Sequence, residues 1–149
     1  MQNPAGVLMA ELVMSIDRLI RSAQVAEAFE GEWAPQVILG HISQVDELVW
    51  LPRIAQMCQA PKGAPPEFTW WEPDATATQE KFEGLAVDQV AALAMSNRTN
   101  LLSAIKNLTP DQWAATAKHD TFGVIDVSGL IIEILTHDEE HRAALIPAT

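Results

Sequence analysis

Two of the chain's four histidines stand one helical turn apart, His137 and His141 in "ILTHDEEHRAAL". An i,i+4 spacing puts both imidazoles on one face of a helix, where they can take two positions around one cation. Imidazole suits Zn, Ni, Cu and Fe(II), and three such ligands beside a vacant fourth position make a reactive rather than a structural site. Water bound there is acidified towards neutrality, and the same position can bind and activate a thiolate. The competing reading is a set of hydrogen-bonded core histidines that hold no ligand. Two protease signatures fail. "HDEEH" fits the inverted zinc-protease pattern with Glu140 as base, but that class needs a further ligand well downstream, and few residues follow His141. In the H-E-x-x-H pattern, Asp138 occupies the Glu position.

A third imidazole must come from elsewhere in the chain. Pro4 marks the first position of an opening helix with Asn3 as its cap, and an apolar stripe runs from Leu8 to about Phe29, where Gly31 stops it. Pro35 restarts the chain in a second helix reaching about Gln59. His41 lies on its inner stripe with Ile38, Val45, Leu48 and Val49, and Pro52 is expected to kink it near Leu48. Periodicity vanishes over 61–84, a long crossover. A third helix is expected over 86–107. "TPDQW" is a capping box on Thr109 and Gln112 that starts a short helix, and Asp126 caps a last helix carrying Leu130, Ile134, His137 and His141 inward. Strand-like alternation is nearly absent.

The expected fold is therefore all-α, a four-helix bundle. The short first link makes helices 1 and 2 antiparallel, and the crossover between helices 2 and 3 is long enough to return the chain for a parallel third helix. The result is up-down-down-up, with helices 2 and 4 antiparallel. His41 near the start of helix 2 then comes level with His137 and His141 near the end of helix 4. Burying three imidazoles together is costly unless something satisfies their lone pairs, and a metal does so.

The 149 residues read as one domain, 48% hydrophobic and 19% charged. Nine basic against twenty acidic residues give a net charge of −11, which opposes contact with nucleic acid or anionic membranes. No apolar run is long enough to span a membrane, and the N-terminus lacks the basic start of a signal peptide, so a cytoplasmic location is expected. The single Cys58 permits no intramolecular disulfide and reads as a buried, inert thiol rather than a nucleophile.

"GEWAPQVILGHISQVDELVWLPRI" and, later, "GVIDVSGLIIEILTHDEEHRAALI" resemble the DinB/YfiT-like metalloenzymes: a Trp before helix 2, a His within it, and a closing H-x-x-x-H on helix 4. The resemblance extends over nearly the whole chain. It implies a divalent metal (Zn, Ni or Fe) held by His41, His137 and His141, frequent homodimers, and, among characterised relatives, thiol-dependent transferases and isomerases. Ala144 stands where relatives often carry Gln, and no separate thiol-binding domain is expected within these 149 residues. The damage-inducible family label suggests DNA, against which the acidic charge argues.

Pocket candidates are Trp71 and its neighbour Trp70 in the crossover, which either fold over a bundle end or anchor the loop. Asn97 and Arg98 lie on or beside the inner stripe of helix 3. Arg98 either binds a substrate carboxylate or forms a salt bridge. Asp46 either orients an imidazole or is an exposed helix acid, and Asp138, Glu139 and Glu140 are expected on the wet outer face. The functional expectation is a divalent-metal-dependent enzyme acting on a small molecule, either a thiol-dependent S-transferase with a low-molecular-weight thiol as cosubstrate or a hydrolase. The alternative is a non-catalytic metal-binding or stress-response bundle.

Overall fold

The computed structural model describes residues 4–29 and 31–145, so the cap expected at Asn3 lies outside the described residues. Helix α1 spans Pro4–Val25 and ends short of the expected Phe29. Glu27 follows two residues later, an acid placed at the negative end of the helix dipole, where it disfavours another turn. Helix α2 begins with Pro35 at its first position and runs Pro35–Val45. Where the kink is expected, the helix widens to π-helical geometry over Asp46–Trp50, with Leu51 N–H reaching back five residues to the Asp46 carbonyl, and Leu48, expected on the inner stripe, is exposed within it. Helix α3, Leu51–Gln59, continues from it. Pro52 has no N–H to extend the ladder and its ring crowds the carbonyl four residues back, so the widening absorbs the mismatch.

The crossover is not the structureless loop expected from its lost periodicity. It contains strand β1, Glu67–Phe68, and helix α4, Ala75–Phe82, which Asp74 caps by accepting from Ala77 N–H at 3.0 Å. The third bundle helix, α5, covers Val87–Ile105. The capping box forms as read: Thr109 Oγ1 accepts from Gln112 N–H at 3.2 Å and Gln112 Oε1 from Thr109 N–H at 2.9 Å, starting α6, Pro110–Trp113. A hairpin then appears that sequence periodicity did not suggest. It joins β2, Thr116–His119, to β3, Gly123–Asp126, and Gly123 supplies the positive φ of 74° that ends the turn. Strand β2 pairs in parallel with β1 and antiparallel with β3. The last helix, α7, spans Val127–Ala144 with Asp126 accepting from Gly129 N–H at 2.7 Å.

Side-chain pairs fix the helix directions. Gln36 meets Glu83, just ahead of the start of α5, and Ser43 meets Asn97 well inside it, so α2 and α5 run parallel. Gln24 meets Asp88 while the Leu12 carbonyl meets Arg98, so α1 and α5 are antiparallel. His41 meets His141 and Trp50 meets His137, so the second and last bundle helices are antiparallel. The bundle is up-down-down-up, with a small sheet across the crossover. Among the described residues no helix is long and apolar enough to cross a membrane.

The core falls into two apolar clusters, one around Leu12, Val49, Leu101 and Leu130, the other around Ile16, Leu39, Phe82 and Val90. A polar layer lies at the level where they meet. Arg98, fully buried, bonds Asp46 at 2.8 Å and Asp138 at 2.8 and 3.0 Å, and donates to the Leu12 carbonyl at 3.1 Å. Ser15 Oγ donates to Asp138 Oδ2 at 2.8 Å, so all four bundle helices contribute to one network.

Helix α4 seats its Phe82 ring on Gly40, the residue preceding His41. A Cβ at Gly40 would lie 2.2 Å from that ring. Gly40→Ala is expected to destabilise the fold by about 1–2 kcal/mol in urea denaturation, because overpacking outweighs the gain in helix propensity. An unchanged or raised midpoint would mean that α4 is free to move away.

Candidate metal centre

His41 comes from α2, and its position follows from the helix start at Pro35. His137 and His141 come from α7, whose register Asp126 sets. The antiparallel crossing brings the three rings together. His41 Nε2 lies 3.3 Å from His137 Nε2, which lies 3.2 Å from His141 Nε2. One nitrogen from each ring falls within 4.8 Å of the others. With the ring protons on Nδ1, the Nε2 lone pairs face one another at these distances, and only an Nε2–H tautomer or a cation between them relieves that. The edge of a tetrahedral zinc site with Zn–N bonds near 2.0–2.1 Å is about 3.3 Å. The donor set and its spacing therefore fit a divalent cation.

Protonation fits the same use. Burial, then the neighbouring imidazoles, push His41 down to about 3. Burial, His141 and Arg98 push His137 down to about 4, and burial also lowers His141. All three rings are neutral at pH 7, with lone pairs available. The Nδ1 atoms of His41 and His137 are buried without a hydrogen-bond partner. A cation drawing on the three Nε2 lone pairs would fix the protons on Nδ1 and end the crowding between the Nε2 atoms.

The trio borders a cavity of about 340 Å³. Aromatic rings wall it: Trp33 lies 5.4 Å from the His41 ring, Trp71 stacks near it at 6.4 Å, and Trp50 lies 6.1 Å edge-on from His137. Trp71 thus occupies the cavity wall, and so does Trp70. Asn97 and Arg98 do not line this cavity. The Arg98 guanidinium is taken up by Asp46, Asp138 and the Leu12 carbonyl, and Asn97 Nδ2 donates to Ser43 Oγ at 2.6 Å. Asp46 and Asp138 are each 1% exposed, against the expectation of exposed helix acids. The fully buried Arg98 cation holds both inside, while burial raises Asp46 to about 6. Glu139 and Glu140 are exposed, and Glu140 sits at the cavity wall. Cys58 is half-buried in a different cavity, and burial pushes its thiol up, keeping it protonated.

Of the polar residues lining the cavity, Arg53, Glu72, His119, Glu133 and Thr136 escaped the sequence reading. His119 stands in β2, where Ala117 and His119 are the buried positions of a short alternating strand, a period-2 signal spread over only four residues. Arg53 follows the π-helical widening, which shifts its facing away from that of a regular helix.

A model of the DinB superfamily matches residues 10–145. No curated protein matches significantly. Among solved structures, YfiT from Bacillus subtilis, described as a probable metal-dependent hydrolase with an unusual four-helix bundle topology, superimposes with TM-score 0.73 at 14% identity over 95% of this chain and 83% of YfiT. A mycothiol-dependent maleylpyruvate isomerase superimposes with TM-score 0.69 at 12% identity over 99% of this chain, which spans 62% of the isomerase, and a point mutant of it does equally. At these identities the likeness carries the fold, and the family match carries the assignment. The chain belongs to the DinB superfamily.

Proposed function

We propose that this chain is a divalent-metal-dependent enzyme acting on a small molecule, with His41, His137 and His141 as the metal ligands. One observation carries the reading: three neutral imidazole nitrogens converge on the wall of an aromatic-lined cavity, His137 Nε2 lying 3.3 and 3.2 Å from those of His41 and His141 and all three within 4.8 Å of one another. A cation there supplies Lewis-acid activation of a thiol or of water. The chain's own residues do the rest. Trp33, Trp50 and Trp71 exclude water around the trio and offer flat faces to a substrate, and the exposed carboxylate of Glu140 is placed to take a proton at the cavity mouth.

The reaction class is a thiol-dependent group transfer or a hydrolysis. The likeness to a mycothiol-dependent isomerase and to a probable hydrolase supports both. A low-molecular-weight thiol as cosubstrate, a homodimer and a cytoplasmic location belong to the same proposal.

Metal analysis of untagged protein tests the reading. Wild type is expected to carry, or take up from Zn, Ni or Fe(II), about one equivalent per chain, by the three-histidine stoichiometry of such sites. His137→Ala is expected to hold none after the same dialysis. Wild type that neither carries nor binds any of these ions would overturn the proposal.

A further inference from the structure

The cavity has a second polar pole, separate from the histidine trio. Arg53, on α3, is the one Lys or Arg among its lining residues. Its Nη2 donates to the Thr69 carbonyl at 2.7 Å, and its guanidinium lies over the Phe68 ring, 4.9 Å from the centroid. Among the described residues no carboxylate comes within ion-pair distance of it. Its other close polar neighbour is an imidazole, with His119 Nε2 lying 3.3 Å from Arg53 Nη1.

The proton on His119 can be placed. Its Nδ1 accepts from two backbone donors, Thr121 N–H at 3.0 Å and Phe122 N–H at 3.3 Å. Asp120 Oδ1 also lies 3.2 Å from that nitrogen, but it is already engaged by Trp70 N–H at 2.9 Å and by the Thr121 hydroxyl at 3.1 Å. Two aligned N–H groups require a lone pair on Nδ1, so the neutral ring carries its proton on Nε2. Burial and the neighbouring Arg53 charge lower the His119 pKa, which keeps the ring neutral. Nε2–H and the guanidinium N–H then face one another as two donors without an acceptor. The nearest charge acting on the half-buried Arg53 is the Asp120 carboxylate, which lies beyond ion-pair distance and is engaged by Trp70 N–H and Thr121, so an anionic oxygen in the cavity would pair the guanidinium directly and accept from Nε2–H.

The rest of the cavity limits what can bring that oxygen. Trp50, Trp70, Trp71 and Phe122 give an apolar, aromatic wall. Glu72, Glu133 and Glu140 also line the cavity and disfavour multiply charged anions. Resting on the metal-enzyme reading for the opposite end, the geometry points to a small monocarboxylate with an apolar or aromatic body as the substrate class, its carboxylate held by Arg53 and His119 Nε2–H and its body lying between the tryptophans towards the histidine trio. Arg53 and His119 are positioning residues in this scheme.

Phenylacetate and its neutral isostere phenylacetamide are suitable probes, followed by calorimetry and by fluorescence of the cavity tryptophans. The titrations use metal-loaded and EDTA-treated wild type, Arg53→Gln, which keeps an N–H donor for the Thr69 carbonyl, and Arg53→Lys, which restores the charge. The acid is expected to bind wild type at least ~10-fold more tightly than the amide, as a charge-assisted pair implies. Arg53→Gln is expected to abolish that preference without changing amide binding, and Arg53→Lys to restore part of it. The preference is expected to persist in EDTA-treated protein and in His137→Ala, so it stands or falls separately from metal binding. Equal binding of acid and amide, no saturable acid binding, an unchanged preference in Arg53→Gln, or a preference present only with metal would each overturn the assignment.

Discussion

Arg98→Ala is expected to cost about 3–5 kcal/mol, a large part of the roughly 5–15 kcal/mol that holds a domain of this size. The guanidinium is fully buried and neutralises two carboxylates that are themselves 1% exposed. Removing it leaves Asp46 and Asp138 in an apolar interior without a cation, and frees the Leu12 carbonyl and the Ser15 end of the network. Protonation of Asp46, already raised to about 6, softens the loss at low pH. The deficit of Arg98→Ala should therefore be larger at pH 8 than at pH 5. Replacing Arg98, Asp46 and Asp138 together by apolar residues of similar volume should cost much less than the single change, since a buried ionic cluster contributes little beyond its own desolvation. Urea denaturation of these variants measures both effects. A single-variant loss below about 1 kcal/mol would show that the carboxylates find water or each other's proton instead.

The second large effect concerns the trio itself. Without metal, the folded protein should lose stability as the solution is acidified. His41 and His137 are held at about 3 and about 4 against an ordinary value of 6.5. Folded values below the unfolded one mean that their contribution is complete above about 6.5 and declines as pH falls towards them. Asp46 has the opposite sign: its contribution is complete below its ordinary 3.8 and is lost as pH rises through about 6. Between pH 6 and pH 4 two imidazoles outweigh one carboxylate, for a net loss of about 1.4 kcal/mol per unit fall in pH. His141, also lowered, adds in the same direction.

Added Zn or Ni at a thousand times its dissociation constant should stabilise wild type by about 4 kcal/mol at pH 7.5, and less as protons compete for the same nitrogens. His137→Ala should lose that stabilisation. Losing an outer partner of a metal ligand weakens binding about 10–100-fold, and losing the ligand at the centre of the trio should exceed that. Thermal melts with and without metal across pH 5–8 measure it. Equal metal-induced shifts in wild type and His137→Ala would place the ion elsewhere.

Much of this arrangement is legible before any fold is seen. Pro35, Asp126 and the Thr109 capping box locate helix starts because each acts on backbone groups within one turn. The i,i+4 pair and His41 lie on apolar stripes, and the lengths of the connections order the helices, so the meeting of the three rings follows from local rules and chain reach. What escaped depends on partners distant in sequence. Asp46 and Asp138 look like surface acids in any window of the chain, and only their pairing across the bundle with Arg98, which the sequence places on or beside an inner stripe, makes their burial possible. The crossover helix α4 shows little apolar periodicity because it buries chiefly Thr78 and Phe82, the latter on Gly40. His119 and Arg53 become neighbours through the pairing of β2 with β1 and the widening at Asp46–Trp50. Local hydrogen bonding and periodicity therefore determined the helices and the histidine trio. The buried ion network and the placement of Arg53 in the wall of the same cavity were decided by tertiary structure, because each depends on desolvating charges that no single element can neutralise alone.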